Sequence, residues 1–421
     1  MRYIFKMAFR NIGRNKRRTM LSAIAISIAI MVILVMRGYI GGIIDSMFDS
    51  LTKVESGHIK ISHNKYYEKQ DMMPLEHMID GFDGGGYQEL LPVLKSVEDV
   101  EIVAPRIKFG VLLSHSGKNS SALGIGVEPE AEDRLISFDN KMVDGGYLST
   151  GSNSNREIIM GKGLASKLGL KTGEKITILA RTAYDSLRGM TFTVSGTFSF
   201  GISAIDDKLF YIPIGFAQRL LEMGQNASEI IIMVNKPENA EEISEKIKSQ
   251  IDSKMDDPYY AVVPWNKQEG MLSMFSVATN IYSFIYLFLL VLASTVIINT
   301  TMMVIYERMK EIGTIGALGM SSGQIILLFV VEAMLISVIG SFIGMVVGGG
   351  IDFILSEVGI NLQKLSGGSV DFMTTDIIYP RFDFSILIGS FIFGVVVATV
   401  VSYFPSRRAA KIEPVEALRS V

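Results

Sequence analysis

Four histidines, no cysteine and 43 carboxylates are the raw material from which this 421-residue chain could build a reactive site. His58, His63, His77 and His115 never fall in the HExxH spacing that lets two imidazoles share a metal across one helical turn. His58 precedes Ile59 and Ile61 in an alternating run and reads as a strand-face residue, not a ligand. The lack of cysteine excludes thiolate metal sites and disulfides. No GxSxG turn supplies a nucleophile, and acids such as Glu241, Glu242 and Glu245 sit on a solvated helix face. A GxxxxGK[ST] phosphate loop is also missing: Gly169 to Lys175 has the wrong spacing and no hydroxyl residue after the lysine. Leu365-Ser366-Gly367-Gly368-Ser369 is better read as a Ser/Gly turn than as nucleotide-binding machinery. No catalytic residue and no metal site is expected.

The chemistry that remains is that of docking. In the stretch from Tyr306 to Ser321, Glu307 and Glu311 stand four apart on one helical face, with Arg308 and Lys310 beside them. Ile312, Ile315 and Leu318 supply an apolar edge, and Gly313, Gly316 and Gly319 permit close approach and sharp turns around Ala317 and Met320. Balanced charge with an apolar edge suits a partner protein's surface. A second group is rich in Met and aromatic residues: Met36, Tyr39, Ile40, Ile43, Met47 and Phe48, then Met271, Met274, Phe275 and Ile281. Ordinary packing accounts for such residues, and so does a greasy cavity, since Met adapts to variable apolar ligands.

Hydropathy places these groups. The mean hydropathy of +0.34 is too high for an ordinary soluble chain, while 20% charged residues are too many for membrane spans alone. Four runs are long enough to cross a hydrocarbon core of about 30 Å, which takes about 20 helical residues. The expected division is an amphipathic entry helix (1–19), span one with an outer extension (20–48), an outer domain (49–270), span two (271–305), an elbow (306–322), span three (323–351), an outer loop (352–383), span four (384–404) and a tail (405–421). Seven bases precede span one and no acid occurs before Asp45, which holds the N-terminus in the cytoplasm. Between Asp45 and Glu269, 33 acids face 24 bases, which suits the exterior. By parity the elbow and the tail are cytoplasmic. A net charge of −3 with no strongly basic domain excludes nucleic acid as a partner.

The outer domain mixes short strands (starting near His58, Glu101, Leu123, Glu157, Lys175, Thr191, Leu209, Ile230 and Tyr260) with helices over Gly163–Leu168, Phe216–Met223 and Ala240–Ile251. That rhythm indicates α+β. The glycine-rich stretch 81–86 reads as a flexible loop, and with the polar stretch 145–155 it suggests two subdomains. Inside the spans, Arg37 is expected to snorkel outward and Glu332 to hydrogen-bond within the bundle. Gly340, Gly344 and Gly348 form a small-residue packing face.

Glu307-Arg308…Glu311-Ile312-Gly313…Ala317…Gly319…Ser321 resembles the coupling motif of the permeases FtsX, MacB and LolC/LolE. Pro405 to Arg419 is similar to that family's ending, Ala8 to Thr19 to its entry helix, and Gly161 to Glu174 to a stretch of its outer domain, while Ser56 to Ile61 resembles the lipoprotein-releasing group in particular. The resemblance implies an α-helical membrane protein with four spans and a large α+β extracytoplasmic domain, MacB-like, between spans one and two. It further implies an inner-membrane permease subunit of an ABC transporter, paired with a second permease subunit of the same or a paralogous kind. A separate cytoplasmic ATPase dimer would grip Glu307 to Met320, and ATP and Mg would bind on that partner, leaving no cofactor in this chain. The FtsX type has a smaller outer domain, so the size here favours the LolC/LolE-like or MacB-like kind. The expected cargo is a lipoprotein drawn from the membrane lipids towards a periplasmic carrier. The alternatives are MacB-like efflux of peptides or antibiotics, and FtsX-like signalling to a cell-wall hydrolase without transport. The segment Ala180 to Met190 is short and lacks Pro, a departure from the carrier-binding hook of LolC-type proteins.

Overall fold

The computed structural model describes residues 2–14, 16–150, 155–361 and 377–410, with the side chains of Arg2, Arg18, Ala204, residues 269–275, Thr301, Val304, Ile305, Glu307, Met309, Lys310, Ile312 and Asn361 outside the description. The Leu365 stretch and most of the tail motif lie outside the described residues. The chain divides into a membrane unit and an outer unit, the latter spanning Ser46 to Ser276.

All four expected spans are helices: Lys16–Leu51, Glu269–Glu307, Ser322–Val358 and Phe384–Ala409. Each contains an apolar window long enough to cross a bilayer. The amphipathic entry helix is Arg2–Arg14. Span one runs for 36 residues, about 54 Å at the helical rise, so it must continue well beyond the lipid. Gly340, Gly344 and Gly348 do pack on span one: a Cβ at Gly340 would stand 2.7 Å from the Ala23 carbonyl oxygen, and one at Gly344 2.5 Å from that of Ser27. Two boundaries move. Span three continues to Val358, so Asp352 and Glu357 are helical where a loop was expected, because no breaker intervenes before Gly359 at φ +73°. Span four carries Pro405 inside its last turns and ends at Ala409.

In the outer unit the strands are β1 (Ile59–His63), β2 (Val100–His115), β3 (Lys118–Val127), β4 (Met142–Gly145), β5 (Glu157–Gly161), β6 (Lys175–Arg181), β7 (Leu187–Phe198), β8 (Leu209–Pro213), β9 (Glu229–Val234) and β10 (Tyr260–Pro264). In place of two separate subdomains they join one sheet in the order β10-β1-β9-β2-β3-β8-β5-β7-β4, with β6 bridging β2 and β7. Length explains the continuity: β2 has 16 residues, enough to pair with β9 at one end and β6 at the other. Both faces are covered. Ile59, Ile61, Ile107, Phe109, Ile230 and Ile232 lie in one core; Ala104, Ile125, Tyr211, Ile231 and Val54 lie in the other. The loop from Gly81 to Gly86 is pinned, since Glu89 accepts from the backbone N–H groups of Phe82 (2.7 Å) and Asp83 (3.1 Å).

Candidate functional site

Span two ends at Glu307, Arg308 makes the turn, and a nine-residue helix, Met309–Ala317, forms the elbow. Gly319 then reverses the chain at φ +94°, a backbone state that side-chain-bearing residues rarely adopt. Ser321 starts span three with a capping box, its backbone N–H donating to Gln324 Oε1 at 3.1 Å. Arg308 points inward: its side chain is 1% exposed and ion-paired with Glu332 of span three. Its Nε lies 3.3 Å from Glu311 Oε2, and Glu311 also meets Arg14 of the entry helix at 3.2 Å. Asn11 of that helix hydrogen-bonds Glu332. Entry helix, elbow and span three thus share one ionic cluster.

The other elbow residues sort by exposure. Gly313 is buried and Met320 packs towards Ile325, Phe329 and Ala409, whereas Ala317, Gly319 and above all Leu318, at 83%, face outward. For Glu307, Lys310 and Ile312 the position in the helix is described and the side chain is not. Sequence reading singled out Arg308 and Glu332 separately and missed that they are partners. The signal available was that two otherwise unexplained charges, one inside a span and one at the end of the preceding span, can each answer the other's desolvation.

A second ionic cluster lies in the outer unit. The span-one helix ends in a π-turn, Thr52–Ser56, whose carbonyls point at two buried cations of β2. Arg106, fully buried, donates to Val54 O and Lys53 O (both 2.8 Å) and bidentately to Glu132 (3.1 and 2.7 Å). Lys108 donates to Glu55 O at 3.0 Å and Glu55 Oε1 at 2.9 Å, and stands 3.1 Å from Glu229. Burial works against the Lys108 ammonium, but Glu229 and Glu55 outweigh it and raise its pKa. Lys60, 3.8 Å from Glu229, is held below the ordinary lysine range by burial. Cations at carbonyls left open by a helix end are the favourable arrangement there.

The candidate cavity residues divide between the units. In the membrane unit Ile40 and Ile43 are buried, Met36 and Tyr39 half-buried, and Ile281 is 55% exposed. In the outer unit Met47 and Phe48 are half-buried, and Phe48 meets the Trp265 ring edge-on at 4.7 Å. Met271, Met274 and Phe275 lie on the span-two helix, with their side chains outside the description. Between β6 and β7 the chain turns tightly, the Thr182 N–H donating to Ser186 O at 2.8 Å, with Tyr184 and Leu187 exposed. No group of histidines and acids able to hold a metal ion occurs among the described residues.

Four apolar spans, a large α+β domain between the first two and no nucleotide loop in the sequence define a membrane permease. Residues 19–250, more than half the chain, match the MacB-like periplasmic core domain, and residues 283–414 match the FtsX-like permease C-terminal domain. The chain belongs to the FtsX/MacB/LolC family of ABC transporter permeases. It is 24% identical to an uncharacterized ABC transporter permease of Methanocaldococcus jannaschii, MJ1507, over 99% of this chain and 97% of that one. It is 23% identical to the lipoprotein-releasing system transmembrane protein LolC of Neisseria meningitidis serogroup B, covering 79% of this chain and 81% of LolC. It is 37% identical to the macrolide export ATP-binding/permease protein MacB of Chlorobaculum tepidum, over 29% of this chain and 16% of MacB. Membership implies an ATPase partner and a second permease subunit.

Proposed function

We propose that the chain is a lipoprotein-releasing permease, which takes acylated lipoproteins from the outer leaflet of the inner membrane and passes them towards a periplasmic carrier. The observation that carries this reading is the extent of the LolC likeness, which runs through spans and outer domain alike. ATP hydrolysis belongs to a cytoplasmic partner, as fits a sequence with no phosphate loop. The ATPase seats on the elbow, and the outward position of Leu318 supports this. The lipid anchor enters along span one near Ile40 and Ile43 and along span two near Ile281. Both termini lie in the cytoplasm, as the seven bases before span one favour.

The test is co-purification with photo-crosslinkers at Ile43 and Ile281. Acylated lipoprotein trapped at these positions supports the reading. A trapped peptide or small molecule, with no acylated cargo, overturns it in favour of MacB-like efflux, the reading favoured by the higher local identity to MacB. A bound cell-wall hydrolase without any cargo overturns it in favour of signalling. In a pull-down, Gly319→Trp and Glu311→Lys should each weaken ATPase binding; if neither does, the elbow is not the seat.

A further inference from the structure

One cavity of the membrane unit overlaps the proposed cargo path at Ile40 and adds a charged rim to it. About 450 Å³ in volume, it is framed by span one at Arg37 to Ile44, span two at Thr279 to Tyr286, and the chain entering span four at Arg381 to Ile386. In the sequence these are the ends of spans one and two that border residues 46–276, and the start of span four. The wall is built closely. The Arg381 backbone N–H donates to Gly38 O at 2.9 Å, and Gly41 and Gly42 admit the segment: a Cβ at Gly41 would stand 3.1 Å from Arg381 Cβ, and one at Gly42 3.0 Å from Pro380 Cα.

Arg37, Arg381 and Asp383 line the cavity, and Asp45 stands just outside the lining beside Arg381. Arg37 makes no ion pair among the described residues and lies over the Tyr286 ring, 5.4 Å from its centroid. Arg381 stands 3.6 Å from Asp45, both more than half exposed. Asp383 caps span four by accepting from the Ser385 N–H at 2.8 Å, and both guanidiniums act on its carboxylate. Three isoleucines, Ile40, Ile44 and Ile386, share the wall with Thr279, Tyr282, Ser283 and Ser385.

We infer that this cavity seats the headgroup of a bilayer lipid bearing both a phosphodiester and a primary ammonium. The phosphate lies on the Arg37 fork, which matches its oxygens bidentately. The ammonium lies at Asp383, and the first acyl carbons run along the three isoleucines. Charge balance selects this occupant. Asp45 answers Arg381 from outside the lining, which leaves Arg37 and Asp383 as one charge of each sign, so a zwitterion can satisfy both, whereas a purely anionic headgroup leaves Asp383 unanswered. A lipid without phosphate leaves Arg37 unused. The site shares Ile40 with the proposed cargo path but takes a free lipid, and its charged groups are not among the residues of that path.

The test uses the full chain in an uncharged detergent, offered equal amounts of phosphatidylethanolamine, phosphatidylcholine, phosphatidylglycerol and diacylglycerol, with retention read by native mass spectrometry. Phosphatidylethanolamine should be retained at least fivefold over diacylglycerol, and Arg37→Gln should abolish that preference. Asp383→Asn should level phosphatidylethanolamine with phosphatidylcholine. A melting curve checks that each variant is folded, and Tyr286→Leu, which keeps the guanidinium but removes its stack, should reduce retention severalfold. Retention of phosphatidylglycerol at or above phosphatidylethanolamine overturns the inference. So does unchanged retention in folded Arg37→Gln, or displacement of the lipid by millimolar inorganic phosphate, which would mark a free-anion site.

Discussion

Arg106 in the outer unit and Arg308 in the membrane unit are both buried guanidiniums paired with a buried glutamate, yet they are satisfied to different degrees. Arg106 donates four hydrogen bonds, two to Glu132 and two to the carbonyls that end the span-one helix. Arg308 bonds Glu332 through Nη1, while its Nε and Nη2 find no hydrogen-bond partner among the described residues. Its second acid, Glu311, is 40% exposed and shared with Arg14. A buried donor left unmade costs about 1–3 kcal/mol, so the two arrangements differ in how firmly they hold. The first fixes a helix end to a sheet. The second ties together three elements that can exchange partners, which suits an elbow that must respond to a partner's movement.

The largest effect should therefore come from Arg106→Ala. It strands Glu132 without a partner and uncaps two carbonyls, at a cost on the order of 3–5 kcal/mol. Urea unfolding followed by the single tryptophan, Trp265 in the outer unit, would read it. Replacing the pair together, Arg106→Met with Glu132→Leu, should recover most of the loss, because an apolar pair of similar volume carries no buried charge. Failure to recover would mean that the carbonyl contacts, not the ion pair, carry the joint.

Glu332→Ala should cost less than the roughly 3–5 kcal/mol of an unrelieved buried charge, because Glu311 stands 3.3 Å from Arg308 and can take over. Thermal inactivation in detergent measures it, and adding Glu311→Gln should deepen the loss by more than its own effect. If Glu332→Ala proves as severe as Arg106→Ala, the contrast between a fixed and an exchangeable cluster collapses. Smaller again is Gly319→Ala, which forces a Cβ into the left-handed region at about 1–2 kcal/mol. Its expected readout is weaker ATPase association with no change in unfolding of the outer unit.

Sequence pattern revealed the elements better than their partners. The four spans and the main strands were legible because hydropathy runs and alternation are local signals. Arg106 and Lys108 alternate with Ile107 and Phe109, which reads as a strand with a wet, cationic face. The structure buries that face too, because the π-turn, the helix Pro129–Ile136 and a second core cover it. No local pattern announces a second cover. Arg308 and Glu332 failed for a related reason: 24 residues separate them, and only the fold of the elbow brings them together. The extended end of span three was missed because Asp352 looks like a loop acid, whereas its carboxylate lies against Gly38 of span one.

The smallest effect is one of pH, and it sharpens the account of the outer cluster's edge. His58 follows the π-turn and is 8% exposed, with Nδ1 accepting from the Val234 N–H at 3.1 Å. Burial holds its pKa below the ordinary imidazole value, and His63 is lowered the same way, by burial and then by His77. The unfolded chain therefore takes up these protons at a higher pH than the folded one. Their contribution is whole above about pH 6.5, the unfolded value, and is lost as pH falls from there through the folded values. His58→Gln keeps a hydrogen-bonding side chain but cannot titrate. Its urea midpoint, read by Trp265 fluorescence, should fall less steeply than that of the parent chain between pH 7 and pH 5, with the remaining slope carried by His63 and then by carboxylates. Identical slopes in the two proteins would mean that His58 accommodates its proton in place, and that the strand end beside the π-turn is wetter than its 8% exposure implies.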